Sequence, residues 1–188
     1  MKKFIGLCAL MLAGSLHAAV VVDQIGDADG FGIGAVDGAT FNFSSIGAGD
    51  GDGTDVWMYN DQSFTHTYDL SGLGLITSAT LEIFTGGQGW NGLSTIYIDG
   101  ALVGTLTDGD QNNNYARLDT FDLTSFLLDG SSTLLIDTVG SGDGWVLDYS
   151  RLTISDDSVS ASVSEPASLS LLGLGLIGLG FARRRNAA

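Results

Sequence analysis

Carboxylates gathered in glycine-rich stretches are the residues of this chain best suited to chemistry. "DQIGDADG" offers Asp23, Asp27 and Asp29, and "GDGDGTD" offers Asp50, Asp52 and Asp55. "DGDQNNNYARLD" offers Asp108, Asp110 and Asn112, with Asp119 at its twelfth place. Such oxygens are what a hard cation such as Ca2+ collects, about six to eight at a time. The third stretch opens with EF-hand spacing, but Asn113 stands where that loop needs glycine and no glutamate closes it. An EF-hand is therefore excluded. The three stretches remain candidate calcium loops, with solvated turn aspartates as the alternative.

Nucleophilic and acid–base chemistry has fewer carriers. After residue 19 the chain has one histidine, His66 in "FTHTYD", and no cysteine. A structural zinc site has too few soft ligands. A glycosidase can work with two carboxylates alone, but so many aspartates single out no pair. The expectation is a protein that is not an enzyme, with a secreted glycoside hydrolase as the third-ranked reading. Sugar rings stack on aromatic faces, and Trp90 in "GGQGWNG" sits among glycines, with Gln88 and Asn91 beside it to orient hydroxyls. Trp90, Gln88 and Asn91 are the candidate glycan contacts. Trp57 in "DVWMY" reads as core, and Trp145 as core or rim.

The elements that must position these residues are short. "MKKFIGLCALMLAGSLHAA" has the cationic start, apolar middle and small-residue end of a signal peptide, assigned to residues 1–19. Cys8 lies within it, so the mature body has no disulfide. Of the 22 acidic residues, all but Glu165 fall between Val20 and Ser164, where Arg117 and Arg151 are the only Lys or Arg. That balance argues against nucleic acid, which needs a cationic footprint. Runs such as "FTHTYDL", "SATLEIFT", "LSTIYID", "YARLDTFDL" and "STLLIDTV", with "DVWMYN" counted among them, read as strands broken by turn residues. Asp99-Gly100 between "IYI" and "ALVGTL" reads as a tight hairpin. An all-β antiparallel sandwich is expected over residues 20–155, followed by a small polar linker over 156–163.

Three of these features resemble the galactose-binding-like jelly rolls that include many carbohydrate-binding modules. They are the Asp99-Gly100 hairpin, Phe121-Asp122-Leu123-Thr124, and Gly130-Ser131-Ser132-Thr133-Leu134. Ser132 replaces the asparagine usual there, and the resemblance covers Thr77 to Ile154. It implies a jelly-roll sandwich. It also implies a structural Ca2+ between an early loop and the final strand, which brings Asp27 or Asp29 near Asp148.

The tail is the second resemblance. Residues 167–182 carry no charge and are followed by Arg183, Arg184 and Arg185. At 1.5 Å per residue this run gives about 24 Å of helix against about 30 Å of hydrocarbon, a short transmembrane helix helped by local thinning. With Glu165-Pro166 before it, residues 164–188 resemble the PEP-CTERM sorting signal of exopolysaccharide-producing Gram-negative bacteria. Val163-Ser164-Glu165-Pro166 lacks the first proline of the usual Val-Pro-Glu-Pro. The resemblance implies an exosortase-type processing partner, transient anchoring in the inner membrane, and a final place at the cell surface or in the extracellular matrix. There the body either binds polysaccharide or serves as a structural or adhesive module.

Overall fold

Alternation along "ITSATLEIFTG" sets the layers. Ala79, Leu81 and Ile83 are fully buried, while Thr80 and Glu82 on the other face are half-buried. Burying each large apolar side chain is worth about 1.5–3 kcal/mol, which gives the strand an inner face. The computed structural model of the chain describes residues 18–46, 49, 51–109, 114–139 and 144–156. Among these, the strands are β1 (Val20–Gly26), β2 (Thr40–Phe41), β3 (Gln62–Thr67), β4 (Ile76–Gly86), β5 (Thr95–Ile98), β6 (Ala101–Thr105), β7 (Asn114–Asp122), β8 (Ser131–Asp137) and β9 (Val146–Asp156).

They form a five-stranded sheet, β1-β9-β4-β7-β2, and a four-stranded sheet, β3-β8-β5-β6. With short β2 set aside, the first strand pairs with the last. β3 then pairs with β8, β4 with β7 and β5 with β6, all antiparallel. A nested hairpin folded over into two layers in this way is the jelly-roll winding expected from the sequence. Ile96, Ile98, Leu134 and Ile136 of one sheet pack against Leu81, Ile83, Leu152 and Ile154 of the other, with Trp145 fully buried among them. At the hairpin, Asp99 and Gly100 have φ of 50° and 79°, as a type I′ turn requires. Thr133 N–H donates to Asp99 Oδ1 at 2.7 Å, tying this turn to β8.

Several expectations are corrected. β1 begins at Val20, where the sequence suggested only the start of the mature chain, and it supplies the edge of the larger sheet. "DVWMYN" is not a strand: Met58 makes an isolated bridge to Trp145 and no more. Asp55 at φ 53° turns the chain out of extended geometry just before it. Trp57 belongs to a second cluster with Phe31, Phe84, Ala116 and Val146, on the outer face of the larger sheet rather than in the main core. β9 runs through Asp156, whose N–H donates to Ala19 O at 3.2 Å, so residue 156 belongs to the sandwich rather than to the linker.

The winding also sorts the loops. Gly26, Gly86 and the beginnings of β7 and β9 lie at one end of the larger sheet. The described connections from β1 to β3, β4 to β5, β6 to β7 and β8 to β9 therefore leave the sheets at that pole. The Asp99-Gly100 turn, the segments 68–75 and 123–130, and both ends of the sandwich chain lie at the other. Among the described residues no helix is long and apolar enough to cross a membrane. The predicted signal peptide is described only at its last residues, Ala18 and Ala19. The predicted span 167–182, Glu165, Pro166 and Arg183–Arg185 lie outside the described residues.

Candidate metal centre

The loop-bearing pole gathers carboxylates. Asp27, Asp29, Asp55 and Asp148 each offer an oxygen, and these oxygens lie within 4.8 Å of one another. Oxygens around one Ca2+ at about 2.3–2.6 Å are separated by at most about 5 Å, so the set fits a single coordination sphere. All four donors are hard oxygens, which suits Ca2+ better than a transition metal.

Each carboxylate arrives by a specific local device. Between Phe84 and Thr85 the β4–β9 register shifts, pairing Tyr149 and Leu147 but skipping Asp148. Asp148 is the extra residue of a β-bulge, a distortion that re-aims a side chain. Its Oδ1 accepts N–H bonds from Gly30 and Phe31, both at 2.9 Å, leaving Oδ2 for a cation. Gly26 ends β1 at φ 82°, where any side chain would run into the Asp148 carbonyl. Asp27 Oδ1 then accepts from Asp29 N at 3.1 Å, and Asp29 accepts from Gly32 N. Asp55 N–H donates to Leu147 O at 2.8 Å, which ties the fourth carboxylate to the residue before the bulge. Ala28, Phe31 and Asp55 all adopt positive φ, uncommon for residues with a Cβ. Strain of this kind gathers where a ligand site over-determines the backbone.

Electrostatics point the same way. Burial pushes the Asp148 carboxyl above its ordinary pKa; the Phe31 and Gly30 donors oppose this, and the Asp29 and Asp27 charges reinforce it. A bound cation reverses that penalty. Asp52, from the second candidate loop, supports from outside the cluster. It accepts from Gly26 N at 3.1 Å and from the Thr54 hydroxyl at 2.6 Å, and the Thr54 bond lowers its pKa. The structure thus brings Asp27, Asp29 and Asp148 together and adds Asp55, which the sequence placed in a separate loop. Of the third loop, Asp119 binds the Thr107 hydroxyl and N–H. Asp50, Asp110 and Asn112 lie outside the described residues.

His66 is fully buried, with Nδ1 2.7 Å from Asp23 Oδ2 and Nε2 2.9 Å from Ser150 Oγ. The order carboxylate–imidazole–hydroxyl is that of a nucleophilic triad. Ser150, however, is also fully buried and faces the core from β9, so the arrangement does not present its hydroxyl to a substrate. It links β1 and β9 of one sheet to β3 of the other. Asp23 also accepts from Thr67 N at 3.3 Å.

Aromatic groups lie at the same pole. Trp90 is 71 % exposed in the segment joining β4 to β5, and Asn91 beside it is exposed. Gln88 is 2 % exposed, which corrects its expected surface role. Its backbone carbonyl accepts from Gly109 N at 2.7 Å, tying it to the stretch after β6. Among the described residues neither side-chain N nor O of Gln88 has a hydrogen-bond partner. Trp57 packs against Gly144, where a side chain would collide with its indole. Tyr59 lies edge-on to Trp57 at 6.2 Å and is exposed.

Residues 162–185 match the PEP-CTERM protein-sorting motif. Glu165, Pro166 and the three arginines fall within that match, and the motif marks an exported protein processed at the membrane. No curated protein matches the chain. Among solved structures, a β-porphyranase of glycoside hydrolase family 86 from Bacteroides plebeius is similar over 57% of this chain and 20% of its own, at 19% identity and a TM-score of 0.40. This chain thus spans about a fifth of that enzyme's length. The CBM35 module of Cellvibrio japonicus Abf62 is similar over 75% of this chain and 99% of its own, at 14% identity and a TM-score of 0.33.

Proposed function

We propose that this exported chain is a non-catalytic polysaccharide-binding protein of the cell surface or extracellular matrix, its sandwich held by one structural Ca2+. On this reading exosortase-type machinery removes the tail after brief anchoring in the inner membrane. The observation that carries glycan binding is the exposed Trp90 ring on the glycine-rich segment of the loop-bearing pole. The exposed ring offers an apolar face on which a sugar ring can stack, while Asn91 offers hydrogen bonds. The Asp27, Asp29, Asp55 and Asp148 cluster supports the calcium part. It sits at the root of the same pole and holds the 27–61 segment to β9.

The strongly acidic body favours neutral glycans over anionic ones. A glycan array probed with the exported protein, with and without calcium, tests the proposal. Trp90→Ala is expected to lower binding at least tenfold with an unchanged unfolding midpoint. Unchanged binding would instead favour a structural or adhesive module, a reading supported by the burial of Gln88.

A further inference from the structure

The pole opposite the metal centre holds a contact that bears on maturation. Ala19 N–H donates to Asp156 Oδ1 at 2.9 Å, and Asp156 N–H returns a bond to Ala19 O at 3.2 Å. Asp156 Oδ2 accepts from Gly74 N at 3.0 Å, so one carboxylate joins the entry of β1, the end of β9 and the turn before β4. The compact sandwich runs from Ala19 to Asp157. From these contacts we infer that the signal peptide is cut between Ala18 and Ala19, and that the freed α-ammonium of Ala19 forms an ion pair with Asp156.

Hydrolysis of the Ala18–Ala19 amide adds water across the bond, leaving a carboxylate on Ala18 and an ammonium on Ala19. The nitrogen already facing Asp156 then gains charge and two further protons, turning a neutral hydrogen bond into a charge-assisted one. A cut one residue later removes both Ala19 bonds and strands the Asp156 N–H. It also places His17, rather than uncharged Leu16, at the third position before the cut, where signal peptidase prefers a small neutral side chain. Between Val20 and Ser164 the chain has no Lys or Arg beyond Arg117 and Arg151, so this terminus is a substantial addition of positive charge.

The inference rests on the export reading, and one measurement separates the two. The full-length gene is expressed in an exporting host, and the N-terminal peptide of the released protein is sequenced by mass spectrometry. Ala19 as the first residue is expected. A start at Val20 or elsewhere in the mature region overturns the cleavage assignment while leaving export intact. A retained Met1 overturns the export reading itself. The ion pair is read separately with Asp156→Asn in the same exported chain, which keeps an acceptor oxygen but loses the charge. The substitution is expected to lower the unfolding midpoint by about 2–4 °C at pH 6.5. The loss should shrink at pH 9.5, above the ordinary α-amino pKa of about 7.7–8.0. An equal loss at both pH values overturns the ion pair.

Discussion

Asp148 concentrates the chemistry of this protein in one side chain. It stands on a bulge, holds two backbone N–H groups with one oxygen, and carries a carboxyl whose pKa is raised mainly by burial. A raised carboxyl contributes stability that is present below its unfolded pKa and is lost as pH rises through the folded one. Without a cation, the ionised group therefore weakens the sandwich at neutral pH. Calcium at about 100 times its Kd should restore about 2.7 kcal/mol at pH 7, and this gain should fade in acid as Asp148 protonates. Calcium titration followed by thermal unfolding at neutral and acid pH checks this, and Asp148→Asn should blunt the response. Absence of any shift at millimolar calcium would return these residues to ordinary turn aspartates. Gln88 offers a second test. Its buried amide has no partner among the described residues, so Gln88→Met should raise stability by about 1 kcal/mol in urea unfolding rather than lower it.

At the scale of elements, the Asp23–His66–Ser150 link governs how the edge strands β1 and β3 close the sandwich. Burial holds the His66 pKa below its ordinary value of 6.5, outweighing the Asp23 carboxylate that raises it. The unfolded chain therefore takes up a proton first, and stability falls as pH drops below about 6.5. Urea unfolding from pH 8 to pH 5 should show that loss, and His66→Gln should start less stable but flatten the profile.

These elements also show what the sequence could reveal. The inner face of β4 was legible because Ala79, Leu81 and Ile83 alternate without interruption. The face of β9 was not: its bulge puts Leu147 beside the core while Asp148 turns toward the loop, and no alternation survives that. The grouping of Asp27 and Asp29 with Asp148 could be read from the family resemblance. Asp55 could not, because it arrives through a left-handed kink in a long irregular segment, where spacing carries no geometric information. The buried histidine network needed partners from three strands far apart in sequence, and no local pattern connects them.

For the whole molecule, the jelly-roll winding separates two poles. The loops, the acidic cluster and Trp90 occupy one; the turns, the start of β1 and the end of β9 occupy the other. β9 runs between them and is paired on both sides, with β1 and β4. That arrangement has a mechanical meaning. If the body is gripped at its loop pole while the chain beyond Asp156 is held, tension runs along the strand axes and enters through a central strand. Pulling β9 free then requires its ladders to β1 and β4 to shear together, rather than one bond at a time as an edge strand unzips. A hold applied through β1 alone would load a single ladder. A hold on the chain beyond Asp156 would thus load a strand paired on both sides.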